Sequence, residues 1–383
     1  MYAARIFQKS IQIYMERWQS KMNVNTVLIN WYNKNKRDLP WRNTNDPYLI
    51  WLSEIILQQT RIEQGLSYYQ KFAENYPDVA SLAKTKEDDV LKLWQGLGYY
   101  SRARNLHKAA KQIITEFSGK FPSDYHSIKS LKGVGDYTAA AISSFAFNLK
   151  YPVVDGNVFR FLSRYFGVDT PIDTSAGKKE FTGLAENVMQ NAPPAIFNQA
   201  IMEFGSRQCR PSNPDCENCP LNISCVSFKN KIVNLFPVKK NKTKIRNRFF
   251  NYLVISQKNT LYFKKRIEKD IWEGLHDFPL IETKNRINES GIIKSDEWKK
   301  TFDGRRVTLH SISPEYKHVL SHQLIFAKFY EVTIEKPLIK EPAIAWKKVK
   351  GNSVKKYAVP KLIQNYLETR ELKLSKIISP DNK

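Results

Sequence analysis

No stretch of the chain approaches the ~20 consecutive apolar residues that a membrane-spanning helix requires. The nearest run, Ala139 to Phe147, is short and interrupted by Ser143 and Ser144. A spanning protein is therefore excluded and a soluble one expected, without membrane partners. The N-terminus also has no continuous apolar segment: Arg5, Lys9, Arg17 and Lys21 are opposed only by Glu16. Residues 1–22 thus lack the core of a secretory signal; they form an extension without an assigned role, and Met22 is an alternative first residue. Acidic residues are scarce, 37 against 61 lysines and arginines, which leaves a formal net charge of +24 over 383 residues. Such an excess attracts polyanions. Nucleic acid ranks above lipid because no basic amphipathic helix stands beside an apolar anchor. Cysteine is scarcer still: there are four, all between residues 209 and 225. That clustering, in a chain without a secretion signal, excludes a disulfide framework.

What remains is ample for two or three packed domains, with 42% hydrophobic and 13% aromatic residues. From Val24 to about Val226 the chain reads as helix after helix, with Val27, Leu28, Trp31 and Tyr32 on one apolar face and Leu91, Leu93 and Trp94 on another. Asp46-Pro47 marks a helix start and Pro122-Ser123 lies near a second. After Pro237 the run Lys239 to Arg248 has almost no apolar anchor and reads as a basic linker, either a solvated tether or a segment lying on DNA. Beyond it, Tyr252–Ile255, Thr260–Phe263 and Leu324–Val332 read as strands, and helical text returns near Ala358 to Thr369. The expected organisation is multidomain: an extension (1–22), an all-α domain (23–230), a basic linker (231–248), an α+β domain (249–370) and a disordered basic tail (371–383).

Cys209, Cys216, Cys219 and Cys225 have the spacing C-x6-C-x2-C-x5-C. Four thiolates within reach of one point suit zinc or an iron–sulfur cluster. Only Cys216 and Cys219 form a tight pair, which leans toward iron. The spacing resembles the [4Fe–4S] loop shared by the endonuclease III and MutY families of DNA glycosylases. That resemblance implies a brown protein whose cluster braces a DNA-contacting loop, with Arg207 and Arg210 facing phosphate.

Lys132-Gly133-Val134-Gly135 lies between two helical stretches, where paired glycines permit close backbone approach and the next helix offers free N–H groups. Alone it is as well explained by an ordinary helix connection. With the cysteine loop it is similar to the helix-hairpin-helix of the same superfamily, a phosphate cradle. Asp136 stands where many relatives carry arginine or a neutral residue, which weakens that contact.

Two acids stand out. Glu54 is the only acid between Pro47 and Ile62, in Trp51-Leu52-Ser53-Glu54-Ile55-Ile56-Leu57-Gln58-Gln59-Thr60. If buried it has a raised pKa; the alternative is a surface position on an amphipathic helix. Asp155 follows the apolar run Pro152-Val153-Val154 and precedes Gly156-Asn157, a pattern that also suits a helix cap. Both segments match those of MutY relatives. The resemblance implies that Glu54 protonates the departing adenine, that Asp155 stabilises the sugar cation, and that Asn157 orients Asp155. Tyr137 occupies the position of the lysine nucleophile of endonuclease III relatives, so no Schiff base forms there. Gln58, Gln59, Thr60, Leu97 and Tyr99 match residues that fill the vacated base stack, and Arg37, Trp41, Arg42 and Gln199 match the adenine pocket.

In the second domain, Trp272 to Pro279 is similar to the Nudix-like domain of MutY proteins, without the hydrolase signature. His318-Val319-Leu320-Ser321-His322 resembles their loop for 8-oxoguanine, with Leu320 in place of phenylalanine and Ser321 and His322 able to hydrogen-bond the lesion. The expectation is a monomeric, cytoplasmic, nucleoid-associated monofunctional glycosylase that removes adenine opposite 8-oxoguanine or guanine in duplex DNA. A bifunctional lyase and a non-catalytic cluster-bearing DNA-binding protein are the competing readings.

Overall fold

The computed structural model describes residues 23–241, 245–258, 260–335 and 346–378. The extension 1–22 lies outside them, as do residues 242–244 of the linker and the last five residues. Among the described residues twelve helices come first in chain order: α1 (Val24–Asn35), α2 (Pro47–Leu57), α3 (Ile62–Asn75), α4 (Val79–Lys84), α5 (Glu87–Leu93), α6 (Ser101–Glu116), α7 (Tyr125–Ser130), α8 (Asp136–Phe147), α9 (Gly156–Phe166), α10 (Ser175–Met189), α11 (Pro194–Arg207) and α12 (Val226–Lys229). Among the described residues no helix is long and apolar enough to cross a membrane.

The described residues form two compact units, one drawn from residues 1–58 and 115–242 and the other from 59–114 and 243–383. The first unit is built on an apolar cluster contributed by α1, α9, α10 and α11, with Leu28, Phe161, Leu162, Phe181, Phe197 and Phe204 almost completely buried. Its helices start where short polar side chains meet free N–H groups: Asp46 caps α2, Asp124 caps α7, Asp155 caps α9 and Thr174 caps α10.

The second unit holds an eight-stranded mixed sheet: β1 (Arg246–Gln257), β2 (Thr260–Lys265), β3 (His276–Asp277), β4 (Leu280–Thr283), β5 (Val307–Ile312), β6 (Tyr316–Val319), β7 (Gln323–Ile334) and β8 (Trp346–Lys350). The main path runs β3-β2-β1-β7-β5, with β1 and β7 parallel and paired from Arg246–Gln323 to Ser256–Thr333. Two short helices, α13 (Glu289–Lys294) and α14 (Asp296–Phe302), pack Ile292, Trp298 and Phe302 against Leu253, Ile255, Tyr330 and Val332. On α15 (Lys361–Ile378), Tyr366 stacks on Phe329 at 3.9 Å.

Four features depart from the sequence expectations. Residues 59–114 belong with the sheet rather than with the other helices: Arg104 pairs with Glu273 at 2.8 Å, Lys265 with Asp88 at 2.5 Å, and Lys92 donates to the Tyr357 carbonyl. The basic linker is shorter than 231–248. Its start is clamped, with the Lys240 and Asn241 N–H groups donating to Asp173 at 2.8 Å each. At its other end Arg246 begins β1, and Arg248 is 6% exposed, paired with Asp270 and Glu282. A buried, doubly paired guanidinium cannot lie on DNA. Helical structure in this region is not confined to its end, because α13 and α14 interrupt the strands, capped by Asn288 and Ser295. Finally, the segment expected as a disordered tail from residue 371 continues α15 to Ile378.

Candidate active site and cysteine centre

Glu54 owes its position to the start of α2, where Asp46 accepts from the Tyr48 N–H at 2.8 Å and Pro47 occupies the first turn. The helix is sealed on every side from Ile50 to Ile56, and Glu54 is only 8% exposed. Burial pushes its carboxyl from the ordinary 4.5 up to about 7, and the nearby Asp155 charge adds to the rise. A hydrogen bond from Tyr137 and the positive charge of Arg42 act the other way. Tyr137 stays a donor, since burial and the two carboxylates push its phenol well above the usual range.

Asp155 is indeed the cap of α9, and the cap geometry is what prepares it. One carboxylate oxygen accepts from the N–H groups of Asn157 (2.9 Å) and Val158 (2.8 Å), and the other from the Asn157 side-chain amide (2.6 Å). Burial raises its pKa, but these three donors and the Arg160 charge favour the ionised form. Of two interacting carboxyls, the one with three N–H donors is the better place for the charge, and the one surrounded by apolar residues is the better place for the proton. Asn157 is held in turn: its side-chain Oδ1 accepts from Arg160 at 3.0 Å, and Arg160 also donates to the Cys209 backbone carbonyl at 2.8 Å.

Gly205 lets this arrangement form. A Cβ on that residue would sit 2.5 Å from the Asn157 carbonyl oxygen, which is backbone and cannot swing away. Gly205→Ala is expected to destabilise the protein by about 1–3 kcal/mol through overpacking, read as a lower melting temperature. Unchanged melting would contradict the close approach.

Arg37 and Arg42, expected at the base pocket, are engaged by a residue the sequence did not single out. Glu203 on α11 is 1% exposed and accepts from Arg37 Nε (2.8 Å), the other face of the same guanidinium (2.6 Å), the Arg37 N–H (3.1 Å) and Arg42 (2.7 Å). Burial alone would raise its pKa, but the hydrogen bonds and charges of the two arginines hold it down to about 2. Trp41, in a 3-10 turn from Pro40 to Arg42, is 9% exposed. Gln199, one turn before Glu203 on α11, accepts from Tyr32. Sequence separations of 161 and 166 residues for the arginine pairs explain why no local signal marked Glu203.

The stack-filling candidates divide. Gln58 ends α2 and donates to Thr138 at 3.2 Å. In the second unit, Gln59 is exposed with φ +55°, and Thr60 accepts from Arg102 at 3.2–3.3 Å. Leu97 is 6% exposed and is part of the core in this conformation, not a presented wedge. Tyr99 is the exposed one, 43% accessible at φ +47°, with the Arg102 guanidinium 5.6 Å from its ring centre. Its hydroxyl contacts that of Ser321, so the turn and the His318–His322 loop meet within one unit. Ser321 and His322 are exposed, while His318 packs its ring 5.7 Å from Trp272.

The hairpin lies between α7 and α8. Gly133 has φ +81°, Lys132, Gly133 and Gly135 are exposed, and Val134 is 8% exposed, anchoring the turn. The awkward Asp136 is neutralised locally, paired with Lys129 at 2.5 Å and accepting from the Tyr125 hydroxyl at 3.1 Å.

All four cysteines line one pocket, walled by Phe161, Tyr165, Phe204 and Leu221. Among the described residues no three histidine, cysteine, aspartate or glutamate side chains stand close enough to hold a single metal ion. Arg164 spans the loop, donating to the Arg210 and Pro211 carbonyls and lying 3.5 Å from the Cys209 sulfur.

Comparison with known proteins adds three findings. Residues 52–186 match the family model described as HhH-GPD superfamily base excision DNA repair protein, and residues 251–369 match the NUDIX domain. The chain is 35% identical over 301 residues to adenine DNA glycosylase of Buchnera aphidicola subsp. Schizaphis graminum, covering 77% of this chain and 84% of that one. It is 38% identical over 207 residues to adenine DNA glycosylase of Homo sapiens, covering 52% and 38%. The solved structure of a thermostable thymine-DNA glycosylase is similar at a TM-score of 0.51 and 31% identity, covering 54% of this chain and 95% of that one. A helical helix-hairpin-helix domain followed by a Nudix-like domain with a mixed sheet is the architecture the sequence implied.

Proposed function

The chain belongs to the adenine DNA glycosylase family, and from that premise we propose that it is a base excision repair hydrolase releasing adenine mispaired with 8-oxoguanine or guanine in duplex DNA. The observation that carries this reading is the pair of acids in opposite surroundings: Glu54 with a pKa near 7 in an apolar helix, Asp155 fastened by three N–H donors. Glu54 gives its proton to the base, the N-glycosidic electron pair departs with adenine, and the Asp155 carboxylate faces the cationic sugar until water adds. Tyr137 keeps the two carboxyls in register through its hydrogen bond to Glu54. Arg37, Trp41, Arg42 and Gln199 bound the base, while Lys132, Gly133, Val134 and Gly135 take a phosphate.

The second unit senses the opposite base through Ser321 and His322, supported by the contact of Ser321 with Tyr99. Gln59, Thr60 and Tyr99 fill the space that adenine leaves, Leu97 supporting them from the core. Cys209, Cys216, Cys219 and Cys225 would hold a [4Fe–4S] cluster. Four sulfurs lining a shared pocket suit such a cluster. When bound, such a cluster supplies a rigid brace for the loop carrying Arg207 and Arg210.

The absence of an amine at Tyr137 makes the enzyme monofunctional. Duplexes differing only in one mispair, scored separately for free adenine and strand breaks, test this. Adenine is expected from A:8-oxoguanine and A:G without strand cleavage, and borohydride is expected to trap no covalent complex. A trapped complex would support the lyase reading, and no base release from any mispair the non-catalytic one.

A further inference from the structure

Tyr32 on α1 is 3% exposed, with the Arg42 guanidinium 5.5 Å from its ring centre. Its hydroxyl lies 2.5 Å from Oε1 of Gln199, to which it donates. Burial keeps the phenol protonated, so this hydroxyl remains a donor at every working pH. Gln199 is half-buried, and Arg42, whose guanidinium lies over the Tyr32 ring, is also felt by the Glu54 carboxyl. With its oxygen turned toward the Tyr32 hydroxyl, the amide presents its N–H groups on the opposite side.

We propose that Tyr32 is a positioning residue for base recognition: by holding Oε1 of Gln199 it turns the amide nitrogen toward the extruded base, so that the pocket presents an N–H donor to a purine ring nitrogen. Without the phenol the amide rotates freely and offers its oxygen as readily, which a ring nitrogen acceptor cannot use. The fixed orientation spares the base the cost of selecting one rotamer out of two. The inference rests on the adenine-releasing reading given above.

Tyr32→Phe keeps the ring under Arg42 and deletes only the hydroxyl. The test is a double-mutant cycle on single-turnover adenine release, with wild type, Tyr32→Phe, Gln199→Ala and the double variant. Tyr32→Phe is expected to slow release about tenfold in the wild-type background, the loss of one hydrogen bond, and by less than about twofold in the Gln199→Ala background. A merely structural role would carry the same loss into both backgrounds, and that result, or an unaltered rate in Tyr32→Phe, overturns the proposal. A wild-type protein that releases no adenine would instead sink the functional reading itself.

Discussion

Replacement of Glu54 by glutamine is expected to lower adenine release by about 10³-fold or more while duplex binding persists, because general acid catalysis is worth roughly 10²–10⁴ and glutamine has no proton to give. The same replacement is expected to make the protein more stable at alkaline pH. The folded carboxyl titrates at about 7 against an ordinary 4.5, so the folded state holds the proton more tightly than the unfolded one. Its contribution is complete below pH 4.5 and is lost as pH rises through 7. Above pH 7 the ionised, buried group costs on the order of 3 kcal/mol, which glutamine does not. Denaturant melts at pH 5 and pH 8.5 should therefore show the variant gaining stability over wild type only at the higher pH. Equal stability at both pH values would mean that Glu54 is solvated. A stabilised, inactive variant is the mark of a strained catalytic group.

Glu203 is predicted to behave in the opposite sense. Its pKa of about 2 lies below the ordinary 4.5, so its contribution is present above pH 4.5 and disappears as pH falls through 2. Glu203→Gln should destabilise the protein by on the order of 3 kcal/mol at neutral pH, with the gap to wild type closing in acid. It removes the charge that Glu203 supplies to Arg37 and Arg42, only 28% and 12% exposed. Arg42 then acts on Glu54 without competition and lowers its pKa, so adenine release should fail at a lower pH than in wild type. Thermal melts and a pH–rate profile check both halves. A Glu203→Gln protein as stable as wild type at pH 7 would show that the two arginines do not depend on it.

The two glutamates also mark what the sequence could and could not reveal. Glu54 was legible because its neighbours on α2 are apolar on every face, a local pattern that burial only completes. Asp155 was legible as a cap, and it is the cap geometry that furnishes its three donors. The cysteines announced themselves by clustering. Glu203, in Met202-Glu203-Phe204, has a comparable apolar setting, but its meaning comes from arginines some 160 residues away, and no periodicity encodes a partner at that distance. Tyr32 read as one more core aromatic because the acceptor of its hydroxyl is equally remote. The strands β1, β2 and β7 carried enough alternation to be seen, whereas α13 and α14 are six and seven residues long, too short for a helical period to emerge. The burial of Leu97 was not legible, because a glycine-rich turn fixes where a wedge could stand, not which of its side chains faces outward.

The account rests on one proton being stored on Glu54 near neutrality, beside a carboxylate that stays charged. The most direct measurement is the single-turnover rate of adenine release from an A:8-oxoguanine duplex between pH 5.5 and 9, with enzyme in excess. The rate should fall tenfold per pH unit above an apparent pKa close to 7, the signature of one essential acid losing its proton. A rate that stays level to pH 9 would contradict it.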